Sequence, residues 1–369
     1  MNQLFRWDQM GLFLLALAAG ILPFAVPEVC AAALREGLTL CSGPLLLSLF
    51  PFLVVSRLLI QCPESNLLAL PFRLAAWGIG IRTPCAARVL CIGFLGGFAP
   101  AASAAAQAVR TGQLTAEEAD ALLPACICSG PSFVVLTVGQ SLLGSAELGV
   151  LLFASQITAN YLTAALLNRF AGARSVKPGS AAPASPAPPR LDEILADAAI
   201  TYCKLCGFIL FFRMLAAGAG ALLPAGAGTL CAVLLEVCSG CDLASRTGRW
   251  GSLLCCAALS VQGLSVLLQV RTICPPEMTL RPLYRSRLLH LPLSLALFYL
   301  LLPGGEADVF STLPARVLLM RRVPPDCALL VFAVCCMAAC TLRSGIRQVE
   351  QKQMARNAGG CCINSKTLL

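Results

Sequence analysis

Runs of about twenty mostly apolar residues recur along the whole chain, and a run of that length is what an α-helix needs to cross a bilayer. They cover about residues 10–27, 43–62, 89–110, 124–145 and 148–169, then 194–219, 228–245, 251–273 and 284–303, with a last one at 326–342. Between the two groups lies AGARSVKPGSAAPASPAPPR, residues 171–190, which has linker composition and no apolar periodicity. Only 12% of the residues are charged, against about 25% in a usual soluble domain. Strands of a membrane barrel would alternate apolar and polar residues, and the runs do not. The expected fold class is an all-α polytopic membrane protein, with the lipid bilayer as its first partner. The first run is read as a retained span rather than a signal peptide, because no short cleavage region follows it.

Two runs are interrupted. Gly96, Gly97 and Pro100 sit in the middle of 89–110, and Glu236 and Asp242 flank Gly240 in 228–245. Glycine and proline weaken a helix interior, and a carboxylate at mid-depth is costly. Gly130 and Gly263 are further helix-break positions in the runs that follow. Interrupted segments at matching places of two halves point to a transporter site.

The halves also match in sequence. Ser103 and Ser239 each lie seven residues before an Arg-Thr-Gly, at Arg110 and Arg246. FPFLVVSRLL and GFILFFRML place Arg57 and Arg213 five residues after a phenylalanine. SGPSF and QGLSV align Gly130 with Gly263 and Ser132 with Ser265. These matches keep the same order, at offsets of 156, 136 and 133, as an internal duplication would. If each interrupted segment is re-entrant, each half crosses three times and the halves are two inverted repeats. The expected domains are 1–42, a first transmembrane helix and loop; 43–170, the first repeat; 171–192, a cytoplasmic linker; 193–303, the second repeat; and 304–369, an external loop, last transmembrane helix and basic C-tail. With the N-terminus in the cytoplasm, most of the 27 Lys and Arg, Arg88 and Arg287 among them, fall on the cytoplasmic side. Arg57, Lys204 and Arg213 are left at membrane depth.

A half-helix that starts inside the membrane leaves unpaired N–H groups and a partial positive charge at its N-terminus, which suits an anion. Such ends are expected near 101–103 and 239–241. Ser129, Ser132, Gln262 and Ser265 can add donors, although small residues also serve close helix packing. The forks of Arg57 and Arg213 fit a carboxylate; the plainer alternatives are snorkelling or pairing with an internal acid. The candidate substrate-binding set is therefore Arg57, Arg213, Ser103, Ser129, Ser132, Ser239, Gln262 and Ser265. Glu236 and Asp242 are the candidate coupling carboxylates or charge partners. Gln269 and Asn160 are read as bonding across helices. LTAEEADALL contains a capping box, Thr115 with Glu118, and residues 66–80 form an amphipathic interfacial stretch.

Other chemistries find little footing. The net charge of +9 lies in loops without interleaved aromatics, so no nucleic-acid partner is expected. Most of the 21 cysteines sit in apolar runs, where a thiol acts as a small hydrophobe. The Cys203–Cys206 and Cys238–Cys241 spacings are at chance level, and His290 is the one histidine. No metal or other cofactor is expected. The sequence has no Ser/His/Asp arrangement, HExxH or phosphate loop, so it is not read as an enzyme.

LFPFLVVSRLLI, GFLGGFAPAASAAAQAVRTGQLTAEEADALL, SGPSFVV, ASQITANYLTAALLNRF and GLSVLLQV resemble the YlbJ-type sporulation integral membrane proteins, of the nucleoside-recognition or Gate-domain group. The resemblance covers about residues 40–303, and RTGQLTAEEADALL is its most specific piece. It implies broken helices and re-entrant hairpins, as in the related concentrative nucleoside transporters. It also implies a bacterial cell-membrane carrier that exports dipicolinic acid from the mother cell during endospore formation, set in the membrane around the forespore. The alternatives are a nucleoside or other small-solute transporter of the same fold, or a non-transporting spore-maturation membrane protein. The SGPS region is poorer in amides than the family pattern, which bears on substrate more than on fold. A homo-oligomer is compatible with this reading.

Overall fold

In a computed structural model of the protein, residues 2–61, 63–170 and 191–302 are described, and the regular elements among them are all helical. The linker, the run at 326–342 and the basic C-tail lie outside the described residues. The α-helices are α1 (Asn2–Ala25), α2 (Pro27–Ser42), α3 (Pro44–Gln61), α4 (Leu70–Gly78), α5 (Pro84–Gly96), α6 (Phe98–Arg110), α7 (Ala116–Cys126) and α8 (Ala146–Phe170). A π-helix, Ser132–Leu142, stands between α7 and α8. After the linker come α9 (Leu191–Leu222), α10 (Ala225–Leu235), α11 (Val237–Ser245), α12 (Gly251–Val261), α13 (Gly263–Ile273) and α14 (Arg281–Leu301).

Three stretches are long and apolar enough to cross a membrane: Ala146–Phe170, Leu191–Leu222 and Gly248–Ile273. The pair Phe13–Ala25 and Pro27–Ser42, bent by 110°, is a fourth if it counts as one span. The chain is thus an all-α membrane protein. Helix α2 is an addition to the sequence reading, which has a loop there. Pro27 at its first turn explains the bend, since proline starts a helix well and cannot continue one.

Apart from α4, which only the first half has, the same order of elements occurs twice: a long helix, two helix pairs, a long helix. It runs α3, α5–α6, α7–π, α8 and then α9, α10–α11, α12–α13, α14. The first pair of each half folds back on itself. A Cβ on Gly93 would lie 3.2 Å from that of Ala101, and one on Gly240 would lie 2.8 Å from the Cα of Val233. Residues seven or eight apart in a continuous helix are separated by about 10–12 Å, so the chain reverses at Gly97 and at Glu236. The second pair of the second half runs onward, with a break at Gln262 inside the single stretch Gly248–Ile273. The sequence matches fall on corresponding elements: Arg57 on α3 and Arg213 on α9, Ser103 on α6 and Ser239 on α11, Ser132 at the start of the π-helix and Ser265 near the start of α13. Contacts between the halves are reciprocal. Helix α6 packs on α13 while α11 packs on the π-helix; α7 packs on α14 while α12 packs on α8.

Each fold-back elbow sits against the break of the next pair. Gly97 has φ +80°, and a Cβ there would lie 2.6 Å from the backbone N of Gly130. Gly263 has φ +68°, and its Cβ would lie 2.9 Å from the N of Glu236. Only glycine allows both the left-handed backbone and the approach. Three expected break residues do other things. Gly96 closes α5 against Pro100 and Phe52. Pro100 occupies the first turn of α6, where a missing N–H leaves no hydrogen bond unmade. Gly240 lies within α11 and admits the Val233 backbone.

Two arginines assigned to cytoplasmic loops are inside the protein. Arg88 on α5 donates to the Ile60 carbonyl at 2.8 Å and to Gln113, and Arg287 on α14 is buried. Neither therefore carries orientation information. The Thr115–Glu118 capping box forms as expected.

Gly97→Ala should destabilise the protein strongly, because a left-handed alanine costs about 1–2 kcal/mol before any clash and the obstacle is backbone. The thermal midpoint in detergent should drop by several degrees and the folded yield should fall. Gly207→Ala, in open space on α9, should leave the midpoint unchanged or raise it slightly.

Candidate functional site

Arg57 points from α3 toward α9. Its Nη1 donates to Asp197 Oδ2 at 2.5 Å and its Nη2 to Thr201 Oγ1 at 3.2 Å, while its buried Nε has no partner. Asp197, Thr201 and Lys204 share one face of α9 because their spacing of four and three residues follows the helical repeat. Ser103 and Arg110 approach from α6 and Thr272 from α13, and the whole encloses a cleft of about 230 Å³. Arg57, Arg110 and Lys204 face Asp197, so the cleft has two more cations than anions.

Arg213 repeats this design further along α9. Its Nη2 donates to Glu36 Oε2 of α2 at 2.7 Å, and its Nε is again buried and unpartnered. Ser239 and Asp242 of α11, with Arg246 just past its end, join it around a second cleft of about 510 Å³. Arg246 holds both carboxylate oxygens of Asp242, at 3.0 and 2.9 Å. Here two cations meet two anions.

The two clefts are built on corresponding residues: Arg57 with Arg213, Ser103 with Ser239, Arg110 with Arg246. At the same offset Asp242 corresponds to Ala106, which lines the first cleft. The acid that neutralises the second cleft is therefore an alanine in the first. Residues 197–205 of α9 line one cleft and 213–221 the other, which separates them by about 24 Å along the helix.

This arrangement revises the expected site. Arg57 and Ser103 come together, and so do Arg213 and Ser239, but the two arginines do not share one pocket. Their acid partners are Asp197 and Glu36, not Glu236 and Asp242. The half-helix ends are Phe98 and Val237, so Ser103 lies on the side of α6. Glu236 is buried and caps α11: Oε1 accepts from Cys238 N at 2.8 Å, and Oε2 from Ser239 N at 2.7 Å and Ser239 Oγ at 2.9 Å. The chain's own carboxylate thus fills the place where an anion would bind at this helix start. Ser129, Ser132, Gln262 and Ser265 lie at or beside the breaks and line neither cleft.

Lys204, Asp197, Glu36, Arg110 and Arg246 were not among the sequence candidates. The repeated Ser-to-Arg motif holds the signal for Arg110 and Arg246, since both its ends face the cleft. Two of the three acids of LTAEEADALL are structural: Glu118 caps α7, and Asp120 accepts from Thr279 N, Thr279 Oγ1 and Leu280 N at 2.8, 2.6 and 3.1 Å.

No family model, curated protein or solved structure matches the chain. Its class rests on its own architecture: an all-α membrane protein with broken helices and two arginine-lined clefts along α9.

Glu236→Ala removes the cap of α11 and leaves two buried N–H groups without it. A lost cap costs about 0.5–2 kcal/mol, so the thermal midpoint should fall by roughly 2–8 °C. An unchanged midpoint would mean that another group takes over the cap.

Proposed function

We propose that the protein is a membrane carrier for a small organic anion. Dipicolinate, exported from the mother cell across the membrane around the forespore, is the substrate that the family resemblance implies. The excess of cations in the first cleft carries this reading. Arg57 sits 11% exposed with its carboxylate partner Asp197 62% exposed. An arriving carboxylate can take the fork from Asp197 while that mostly exposed acid turns into water. Arg110 and Lys204 remain to balance a second negative charge, and Ser103 can donate to it.

The architecture supports transport over a scaffold role. With the fold-back pairs returning to the side they entered, each half crosses three times and the halves are inverted repeats. The clefts at opposite ends of α9 then face opposite sides of the bilayer, which suits alternating access. Asp242 and Glu36 make the second cleft the weaker anion site.

Uptake of radiolabelled dipicolinate, acetate and uridine into liposomes containing the purified protein tests the reading. Uptake of a carboxylate is expected, with Arg57→Ala lowering affinity about ten- to a hundredfold and Arg57→Lys recovering only part of it. Asp242→Ala gives the second cleft the residue that the first already has, and should tighten anion binding from that face. Uptake of uridine with neither carboxylate carried would overturn the anion reading.

A further inference from the structure

Helix α13 carries a polar stripe that its counterpart lacks. Gln262, which caps its start, and Ser265, Gln269 and Thr272 are spaced three, four and three residues apart. That spacing puts them on one face, about one per turn, over a rise of about 15 Å. Thr272 lines the first cleft. Gln262 stands at the break, where the next residue, Gly263, abuts Glu236. Gln262, Ser265 and Gln269 are each 1% exposed. Gln269 Nε2 donates to Ser265 Oγ at 2.9 Å, but the Oε1 atoms of Gln262 and Gln269 have no partner.

Both amides end in an oxygen that the fold leaves unsatisfied. A buried carbonyl oxygen without a donor costs about 1–3 kcal/mol. At the offset of 133 the matching residues are Ser129, Ser132, Leu136 and Gly139, and Leu136 is 38% exposed, so the buried amide of Gln269 has no counterpart in the first half. Gln262 is moreover left-handed, with φ 66°, a conformation disfavoured for a residue with a Cβ. Helix α13 packs on α9, α10 and α6, and α6 over residues 99–106 is built of Ala, Ser and one Pro. Two orphaned acceptors, a strained break and an asymmetry between the copies coincide on one face that begins at the cationic cleft.

We infer that this stripe is the inner continuation of the first cleft: a wetted ladder of amides and hydroxyls along which the anion passes from Arg57 to the break at Gln262. The inference rests on the carrier reading. An amide donates to a carboxylate through its N–H and accepts from the solute's water through its oxygen. It carries no charge, so it eases passage without trapping the anion as another arginine would. Transport demands such weak, multiple sites.

The test uses the full chain in liposomes and measures equilibrium binding and flux of radiolabelled dipicolinate on the same preparation. Gln269→Leu installs the residue of the matching position. Binding should stay within about twofold of wild type while flux falls by about tenfold or more. Gln269→Met, apolar and of near-equal length, should behave the same and replaces the leucine variant if that one does not fold. Gln269→Asn should recover part of the flux. Flux within about twofold of wild type in the apolar variants would overturn the ladder, and so would parallel loss of binding and flux. Failure of the carrier reading looks different: the wild-type protein itself would then move no carboxylate.

Discussion

A broken helix at membrane depth is tolerable only if its freed carbonyls and N–H groups find partners inside the protein, because each unsatisfied group costs several kcal/mol in hydrocarbon. The answer here converges on one contact at the seam between the halves. Asn160 of α8 donates to the Ile127 carbonyl, at the end of α7, at 3.4 Å. Arg287 of α14 reaches the Ser260 carbonyl, at the end of α12, at 3.5 Å, and also donates to Asn160 Oδ1 at 3.3 Å. Each long closing helix thus brings one polar group to the break of its own half, and the two groups hold each other. No carboxylate pairs with Arg287 among the described residues; the negative ends of the interrupted helices are its counter-charge. Nearby, Gln156 of α8 donates to the Cys256 carbonyl at 3.2 Å and Ser260 Oγ at 3.1 Å, and His290 contacts the Gln156 carbonyl. The seam is therefore polar and hydrogen-bonded where lipid-facing surfaces are apolar.

The other ends of the breaks differ between the two halves. In the second half Glu236 caps α11 and Asp242 neutralises Arg246, so the half is electrostatically closed on itself. In the first half the elbow residue is Gly97 and the position matching Asp242 is Ala106. Nothing in the helix plan demands that difference, because both halves form the same fold-back pair. On the carrier reading the first half has given up internal neutralisation for an external anion, and the second has kept it.

Much of this was legible in the sequence, and the limits have physical causes. Apolar length gave the helices, and interrupted runs gave the fold-back pairs, because glycine, proline and a mid-run acid act locally on the helix that contains them. The repeated Arg57/Arg213 and Ser103/Ser239 are legible as a pattern, but their placement around two separate clefts rather than one is not. Their acid partners were not legible: Asp197 is 140 residues from Arg57 and Glu36 is 177 from Arg213, and no periodicity links positions that meet only through tertiary packing. Arg287 reads as a loop charge beside Arg281 and Arg285. Its role exists only once α12 is seen to end at Val261. Gln269 looks like helix glue until its buried Oε1 is seen to have no partner.

The two arginine pairs share a further property that follows from burial. Arg57 is 11% and Arg213 12% exposed, while Asp197 and Glu36 are 62% and 65% exposed. A buried guanidinium stripped of its partner is strongly destabilising, by about 3–5 kcal/mol, whereas a mostly exposed carboxylate regains most of its hydration on release. The cost of opening either pair therefore falls almost wholly on the arginine. It vanishes if another carboxylate arrives as the internal one leaves. On the carrier reading each acid is a stand-in that holds its arginine until an anion takes its place. Exchange of one carboxylate for another leaves the count of buried charges unchanged. That is the physical condition for an anion to bind reversibly at a buried arginine without unfolding the helices that hold it.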